Sequence, residues 1–294
     1  MDDEKPGITM PLVFACIVPH GEPIIPVLCR PPDRRKFGVT TRAMQRLARE
    51  IRALRPDTIV VATPHNLRLH KHIGIVTAEF ASGVLPMFQP GPVKARIRAV
   101  CDRDLADVLL DRAARRRLPV VGANYATAAG KFSNMPLDWG TLVPLWFFLP
   151  GHRRTPRLLV VTPSREIPLE GNVRFGELIA DVAGRSRKRI VFVASADHAH
   201  AHEKSGPYGF HPAAAAYDEA MVRAIRHDEL ASVLRLTPAL VAAAKPDSLW
   251  QVAMVYGVAQ RAGLQASLLT YDVPTYYGMI CAAFRPRRAA TPGL

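Results

Sequence analysis

Short, uniformly apolar segments alternate along this chain with longer segments whose apolar residues recur at helical spacing. Apolar segments without polar alternation are typical of strands covered on both faces, and their alternation with helices predicts an α/β protein. The predicted strands are residues 12–18, 58–63, 73–77, 119–122, 157–162, 189–195, 266–270 and 279–284. The predicted helices are residues 40–54, 93–116, 173–184, 212–227 and 249–262, the first with an N-cap at Thr40 or Thr41. We therefore expect a single α/β domain with a central mixed sheet covered by helices.

Length and composition set the limits of that domain. The chain has 294 residues, of which 49% are hydrophobic and 22% are charged, and these values exclude wholesale disorder. We expect residues 11–284 to form the domain, preceded by a flexible acidic segment, 1–10, and followed by a flexible tail, 285–294. The first segment lacks the basic start of a secretory signal. The apolar run 11–29 contains His20, Glu22 and several prolines, so we expect no membrane span.

The charge balance is strongly positive, with a formal net charge of +14. The densest basic clusters, at residues 112–117, 153–157 and 185–189, fall at predicted helix ends or connections and contain no interleaved aromatic residues. A base-stacking surface needs such aromatics, so we expect solvated faces and no nucleic-acid partner, with steering of an anionic substrate as the alternative. The cysteines form no CxxC pair, which favours reduced thiols in a cytoplasmic protein.

Histidines follow three of the predicted strands. His20 comes just after the first strand, His65 just after the second, and a group at 198, 200 and 202 just after the strand 189–195. Ligand sites in open α/β sheets form outside the carboxyl ends of the strands, so these imidazoles are expected at one edge. Because neutral imidazole is a common ligand for zinc, iron and copper, this placement predicts a metal site.

Five short segments stand at or near these strand ends. They are residues 19–21 (PHG), 64–66 (PHN), 138–145 (DWGTLVPL), 195–200 (SADHAH) and 276–279 (YYGM). In this order they resemble the class III extradiol ring-cleavage dioxygenases, over residues 11–284. The resemblance is to the catalytic-subunit type related to protocatechuate 4,5-dioxygenase and homoprotocatechuate 2,3-dioxygenase. It implies Fe(II)-dependent opening of a catechol or aminophenol ring beside the diol, with O2 as co-substrate.

The resemblance also implies a role for each matched residue. His20 and His65 would be the two histidine ligands of Fe(II), with Mn(II) as the alternative metal. His200 would be the acid–base residue, and imidazole suits this step because it takes up and returns a proton near neutral pH. Asp197 would orient that imidazole, although a turn-capping role for Asp197 is equally open.

The third ligand in this family is a glutamate before the late helix, and here Asp247 stands at that position. Aspartate also completes a set of two histidines and one carboxylate, although its side chain is one methylene shorter. The alternative for Asp247 is an N-cap of the helix 249–262, since aspartate is favoured there.

Tyr125, Tyr208 and His211 are the candidates for substrate binding. Core packing is the alternative for the two tyrosines, and a helix-start role is the alternative for His211, which precedes a proline. The implied partners are a small aromatic diol and O2. We expect a homo-oligomer, and a small second subunit, which some relatives have, is a further option.

Three other functions stay open. The first is a Memo-like metal- or redox-associated protein, a group that shares the fold and in which a cysteine tends to replace the carboxylate. Here the cysteines all lie elsewhere, at Cys16, Cys29, Cys101 and Cys281. The second is a zinc-dependent hydrolase, because His198, His200 and His202 would face one way on a strand, although their neighbours favour a loop. The third is a structural protein that has lost its metal.

Overall fold

The computed structural model describes residues 12–87 and 93–287, and in this part of the chain the strands form an eight-stranded and a three-stranded sheet. The strands are β1 (Phe14–Val18), β2 (Thr58–Ala62), β3 (Ile73–Val76), β4 (Phe80–Leu85), β5 (Ala95–Val100), β6 (Val120–Ala123), β7 (Asn134–Pro136), β8 (Arg157–Thr162), β9 (Ile190–Ser195), β10 (Leu264–Asp272) and β11 (Met279–Pro286). The helices are α1 (Arg34–Leu54), α2 (Arg103–Arg115), α3 (Trp139–Phe148), α4 (Leu169–Gly184), α5 (Ala213–Arg226), α6 (Pro238–Ala244) and α7 (Leu249–Ala262).

The larger sheet is mixed, with the order β10–β11–β1–β9–β2–β8–β3–β6. Its four central strands, β1, β9, β2 and β8, are mutually parallel. On one side of these four strands, β3 runs antiparallel to β8 and β6 pairs in parallel with β3. On the other side, β11 runs antiparallel to β1. We call the edge at which the four central strands end the carboxyl edge. The predicted α/β fold with a covered mixed sheet is confirmed.

Side chains from the two faces of the sheet form two separate cores. On one face, residues such as Ile17, Val60 and Phe192 pack with α2, α4, α5 and α7. On the other face, Phe14 and Val61 pack with α1, α3 and the small sheet. The central strands are buried on both faces because their side chains are apolar in both orientations, as the sequence pattern predicts.

Helices α4 and α7 are in backbone contact, which fixes the start of α7 relative to the sheet. A Cβ atom at Gly176 would overlap the carbonyl of Met254, and one at Gly257 would overlap the carbonyl of Val173. The absence of side chains at these glycines therefore permits the close approach of the two helices. The chain that enters α7 carries Asp247, so this contact also holds that residue in place.

The predicted helix 93–116 is wrong in its first part. Residues Ala95–Val100 form β5, in which Ile97 and Ala99 are buried while the intervening arginines are exposed. This alternation of period two is typical of a half-exposed strand. The helix begins only after Asp102, whose side chain accepts a hydrogen bond from the N–H of Leu105 (3.3 Å). Strands β4 and β7, with which β5 forms the small sheet, were not predicted.

The start of α1 and the end of β11 also differ from the predictions. Helix α1 begins at Arg34, ahead of the predicted N-cap, and the hydroxyl of Thr41 donates to the carbonyl of Ile24 (2.8 Å). Strand β11 continues through Pro286. Within it, Arg285 forms a bidentate ion pair with Glu50 (2.5 and 2.8 Å). The predictions for segment 1–10 and for residues 288–294 of the tail lie outside the described residues.

The surface carries the basic clusters at helix ends and connections. Residues 112–117 close α2, residues 153–157 precede β8, and residues 185–189 join α4 to β9. Among the described residues, every helix is too short or too polar to cross a bilayer.

Candidate metal centre

Three side chains converge on one point at the carboxyl edge. The Nε2 atoms of His20 and His65 lie 3.2 Å apart, and Oδ2 of Asp247 lies 3.3 Å from the first and 3.2 Å from the second. His20 and Asp247 are buried, whereas the side chain of His65 is 20% exposed to solvent. This near-equilateral triangle meets the expectation that two ligands at about 2.1 Å from one ion lie no more than about 4.2 Å apart.

The spacing of the triangle fits a transition metal ion. Ligand atoms at about 2.1 Å from an ion are separated by about 3.0 Å on an octahedral face and by about 3.4 Å in a tetrahedron. The observed separations, 3.2 to 3.3 Å, fall between these values. Two neutral imidazoles and one carboxylate are the ligand set of non-haem Fe(II) oxygenases, and they leave several coordination positions open.

His20 is positioned by β1 and by its neighbour β9. The ring Nδ1 lies 2.9 Å from Oγ of Ser195, the last residue of β9, and that hydroxyl donates its hydrogen to the carbonyl of Gly140. A hydroxyl has one hydrogen, so Ser195 accepts from Nδ1–H. The Nε2 lone pair of neutral His20 is then directed into the triangle, as a metal ligand requires.

His65 is positioned by β2 and by the start of α3. Its ring stacks on that of Trp139 with centroids 4.1 Å apart and an interplanar angle of 29°. A Cβ atom at Gly140 would lie 2.6 Å from the hydroxyl of Thr63 and 3.2 Å from Cδ2 of His65, so only glycine permits this approach. Asp138 caps α3 and also accepts from the Thr63 hydroxyl (2.9 Å), which ties the helix to β2.

Asp247 reaches the triangle from the segment before α7. Its Oδ1 accepts a hydrogen bond from the backbone N–H of Asp197 (3.0 Å), and its Oδ2 faces the two histidines. The N-cap residue of α7 is Ser248, without a side-chain hydrogen bond. The alternative of an N-cap role for Asp247 is therefore wrong, because its carboxylate is used within the site.

Asp197 supports His20 and not His200. One oxygen accepts from the backbone N–H of His20 (3.0 Å), and the other lies 3.3 Å from its Nε2. Within the described residues, Asp197 forms no hydrogen bond to His200. The expectation that Asp197 orients His200 is therefore wrong, because this carboxylate lies beside His20 instead.

The electrostatics of the site follow from burying two carboxylates beside an imidazole. Burial lowers the pKa of His20, but the attraction of Asp197 and Asp247 outweighs it and raises the pKa to about 9. Burial raises the pKa of Asp197 above its ordinary value. Burial acts in the same sense on Asp247, but the attraction of His20 and hydrogen bonds from both histidines hold its pKa well below the usual range. The site thus concentrates negative charge that a divalent cation would neutralise.

His200 lies next to the segment that carries Asp247. Its backbone N–H donates to the carbonyl of Ala244 (2.9 Å), and its ring Nδ1 lies 3.0 Å from the carbonyl of Lys245. Because a carbonyl only accepts, Nδ1 carries the hydrogen and Nε2 of the neutral ring is a base. The ring stacks on Tyr277, with centroids 5.4 Å apart and an interplanar angle of 23°.

The neighbouring histidines do not form a second ligand set. His198 is fully buried, and both of its ring nitrogens lack a hydrogen-bond partner among the described residues. His202 instead bonds through Nε2 to the buried carboxylate of Asp218 (2.8 Å). The side chains of His198, His200 and His202 therefore have three separate environments, and the convergent zinc site of the hydrolase alternative is wrong.

The three candidates for substrate binding lie in different places. Tyr208 is 53% exposed and meets the ring of His200 edge-on, with centroids 5.6 Å apart. His211 is exposed, and its Nδ1 accepts from the N–H of Ala213 at the start of α5 (3.1 Å), which is the helix-start role. Tyr125 follows β6, which runs antiparallel to β8, so it leaves the sheet at the edge opposite the metal site.

Two residues beside the site were not among the predicted site residues. Tyr277 is buried, stacks on His200, and places its hydroxyl where a Cβ atom at Gly21, the residue after His20, would overlap it. Ser195 determines which nitrogen of His20 faces the triangle. Both belong to segments that the sequence analysis singled out, but only the folded structure shows what they contact.

The fold and this site define an α/β protein with a candidate metal centre of two histidines and one carboxylate at the carboxyl edge of its sheet. Residues 14–282 match the family of the catalytic LigB subunit of aromatic ring-opening dioxygenase, and the chain belongs to that family. The chain is 23% identical to protein CA_C1420 of Clostridium acetobutylicum over 256 residues. The aligned residues cover 87% of this chain and 54% of that protein. The chain thus spans about half the length of that curated relative.

A solved structure shows the same fold. The crystal structure of uncharacterized protein JW3007 from Escherichia coli K12 superposes with a TM-score of 0.58 at 17% sequence identity. The match covers 92% of this chain and 99% of the other.

Proposed function

We propose that the protein is a non-haem Fe(II)-dependent extradiol dioxygenase that opens the ring of a catechol or aminophenol with O2. The observation that carries this proposal is the triangle of His20, His65 and Asp247 beside the base at His200. Membership of the ring-opening dioxygenase family supports the same reaction class.

His20, His65 and Asp247 would hold the iron on one face and leave the opposite face for substrate. When bound there, Fe(II) would bind the diol of the substrate and mediate electron transfer between the diol and O2. The chain contributes a rigid ligand set, because Ser195 and Asp197 hold His20 and the stacked Trp139 holds His65. Mn(II) is the alternative metal for the same ligands.

His200 supplies the proton transfers in this proposal. Its Nε2 accepts a proton from a diol hydroxyl and returns it to an oxygen of the product as the ring opens. The Lys245 carbonyl fixes Nδ1–H and Tyr277 stacks on the ring, so the imidazole is restricted in both rotation and tilt. A positioned histidine of this kind contributes roughly 10²–10⁴-fold to the rate.

The aromatic residues around His200 would line the binding site of a flat substrate. Tyr276 packs edge-on against Tyr277 with centroids 4.8 Å apart, and Tyr208 lies 6.2 Å from Tyr276 at the exposed side. Such rings offer apolar faces to an aromatic substrate and exclude water from the reacting atoms. Tyr208 is accordingly the candidate that we retain for substrate contact.

The cysteines give no support to the Memo-like alternative. All four are free and buried, and the third corner of the triangle is a carboxylate, not a thiol. Burial raises the pKa of the Cys16 and Cys281 thiols, which disfavours the thiolate that binds metals. Assembly as a homo-oligomer and a cytoplasmic location stay predictions.

Anaerobic reconstitution with ferrous iron tests the proposal. Catechol, protocatechuate, homoprotocatechuate, gallate and 2-aminophenol are then supplied with O2, while oxygen uptake and the yellow ring-opened product are followed. We expect one iron per chain and uptake of one O2 per ring opened with at least one substrate. Iron stoichiometry near zero in the wild type, with His20→Ala as the matched metal-free control, would contradict the proposal.

A further inference from the structure

Two of the basic clusters converge at the edge of the larger sheet that lies opposite the candidate metal centre. The adjacent parallel strands β9, β2 and β8 all begin at this edge, which we call the amino edge. The cluster at residues 153–157 runs into β8, and the cluster at residues 185–189 runs into β9. Strand β2 separates them and has five residues, so the amino edge is about 17 Å from the carboxyl edge. Clusters that are far apart in the sequence therefore lie one strand apart in the fold.

Backbone hydrogen bonds hold the two clusters in register. The N–H of Arg157 donates to the carbonyl of Asp57 (2.9 Å), and the N–H of Asp57 donates to the carbonyl of Arg189 (2.8 Å). The loop before β8 is also fixed, because Nε2 of His152 donates to the carbonyl of Phe148 (2.8 Å). The basic side chains thus start from an ordered backbone, which lowers the entropic cost of binding a ligand between them.

A small cavity opens between the two clusters. Its volume is about 180 Å³, and its cationic lining residues are Arg154, Arg157 and Lys188. Thr155 adds a hydroxyl to the lining, and Asp57 adds a carboxylate. Sites for drug-sized molecules are larger, at about 300–1,000 Å³. This cavity is therefore suited to a small group, and its lining favours an anion.

The carboxylates at the amino edge are bonded to other groups. Asp102 is fully buried, and both of its oxygens accept from Nζ of Lys188 (2.7 and 3.0 Å). Oδ2 of Asp57 accepts from the backbone N–H of Arg189 (2.8 Å). A further carboxylate, Asp104, is 82% exposed and lies 3.9 Å from Lys188. Because an ammonium has three hydrogens, Lys188 is anchored by Asp102 and still has a hydrogen for a ligand.

Arg154 and Arg157 have no such anchor. Both are exposed, and within residues 12–87 and 93–287 their side chains form neither an ion pair nor a hydrogen bond. Each guanidinium offers a fork of N–H groups that binds phosphate oxygens two at a time. A phosphate monoester carries a charge of about −1.5 to −2 at pH 7, which matches two unpaired arginines. The cavity therefore fits a phosphate group in charge, in donors and in size.

We propose that the cavity at the amino edge is a binding site for a phosphate group, held by the forks of Arg154 and Arg157 and by the ammonium of Lys188. The phosphate group belongs to inorganic phosphate or to a small phosphate monoester. The site is at the opposite end of the strands from the candidate metal centre, so its occupation requires neither a metal nor ring cleavage.

Calorimetry on the metal-loaded protein at constant ionic strength tests this proposal, with inorganic phosphate and glycerol 3-phosphate as the probes. We expect saturable binding at one site per chain, and the tighter of the two probes identifies the source of the phosphate group. Arg157→Met and Arg154→Met should each weaken binding by about tenfold or more, because hydrogen bonds between charged groups are the strong ones. Arg157→Lys keeps the charge without the fork and should restore part of the affinity.

Two control variants separate the cavity from other places where phosphate could bind. Arg112→Met removes an exposed arginine near the end of α2 and changes the net charge by the same amount. Its affinity should stay within about twofold of the wild type, because salt screens a distant exposed charge. A loss as large as that in Arg157→Met would overturn the proposal, since net charge alone would then attract the ligand. Binding that disappears in His20→Ala and persists in Arg157→Met would also overturn it, by placing the phosphate at the candidate metal centre.

A single-stranded oligonucleotide tests the alternative of an extended surface for polyanions. Such a surface sums many weak contacts, so each exposed arginine would contribute a similar small share. Oligonucleotide binding that falls equally in Arg112→Met and Arg157→Met, without saturable binding of either phosphate probe, would overturn the proposal. Metal content should be unchanged in Arg157→Met, so failure of the phosphate site and failure of the proposed function give separate results.

Discussion

Ser195 lies 2.9 Å from Nδ1 of His20 and donates its only hydrogen to the carbonyl of Gly140, so it fixes the tautomer of a proposed metal ligand. The serine ends β9, the histidine follows β1, and the glycine lies in α3. One hydroxyl therefore joins the three elements that form the buried side of the site. Partners of this kind set both the orientation and the basicity of the histidine they contact.

Ser195→Ala should weaken metal binding while leaving the fold intact. Without an acceptor at Nδ1, neutral His20 is free to place its hydrogen on Nε2, the nitrogen that faces the triangle. Loss of such an outer partner typically costs 10–100-fold in metal affinity, and we expect about that loss. Competition with a chromogenic chelator measures it. Ser186→Ala, in the loop before β9, is the matched control and should bind metal like the wild type.

His200→Phe should retain the metal and lose most of the turnover. The imidazole bonds to the Lys245 carbonyl and stacks on Tyr277, and it is not a corner of the triangle. We expect kcat to fall by roughly 10²–10⁴-fold, the usual contribution of a general acid–base residue. Metal content and kcat measured on the same preparation check this. Loss of iron in this variant would show that His200 is a ligand and that its role is wrongly assigned.

Asp247→Ala should lose the metal, because two imidazoles alone leave a divalent ion without a neutralising carboxylate. It also leaves the backbone N–H of Asp197 without its acceptor, so unfolding must be followed alongside metal content. Asp247→Asn is the sharper variant, since its amide oxygen can still accept that hydrogen bond without supplying the charge. Full iron occupancy in Asp247→Asn with normal turnover would contradict the assignment of the third ligand.

Two corners of the triangle were predictable from the sequence because they depend only on local order. His20 and His65 each follow an apolar strand, and parallel strands bring their carboxyl ends to one edge. Asp247 was not predictable in this way. Its position depends on the packing of α7 against α4, through Gly176 and Gly257, and only the resemblance to a family indicated it.

Other contacts were beyond sequence reasoning because they depend on strand order and direction. Tyr125 follows a predicted strand as His65 does, but β6 is reversed relative to β2, and a single sequence does not show that reversal. Arg165 follows β8, which is parallel to β2 and adjacent to it, so it lies at the metal edge. Hydrophobic pattern predicts that a strand exists, whereas long-range pairing decides which edge its last residue reaches.

Metal affinity should rise with pH up to about pH 9. The pKa of His20 is raised to about 9 by Asp197 and Asp247, so in neutral solution the metal-free site holds a proton that the metal must displace. The apparent Kd should fall by about tenfold per pH unit below that pKa and level off above it. Titrations with Zn(II) at several pH values check this, with buffers chosen not to bind the metal. An affinity already constant from pH 7 upward would contradict a raised pKa.

The same proton should affect the stability of the metal-free protein in the opposite sense. A pKa raised in the folded state stabilises the fold fully below the unfolded value of about 6.5. That contribution is lost as the pH rises through about 9, the folded-state value. The free energy of unfolding of the metal-free protein should therefore decrease over this interval relative to that of His20→Gln, which lacks the titrating group.

His198→Leu should stabilise the protein, and His202→Leu should destabilise it. His198 is fully buried with no partner for either ring nitrogen among the described residues, and burial lowers its pKa to about 4, so it is held neutral. Replacing an unsatisfied polar side chain by an apolar one of similar size removes a cost of about 1–3 kcal/mol. His202 donates to the buried carboxylate of Asp218. In His202→Leu, the donors left to Asp218 among the described residues are the hydroxyl of Tyr271 and the N–H of Ala199. Its loss should cost about 1–3 kcal/mol, the usual penalty for removing one partner of a buried charged group. Urea unfolding of the metal-free proteins measures both changes, and a destabilised His198→Leu would mean that the imidazole has a polar partner that satisfies it.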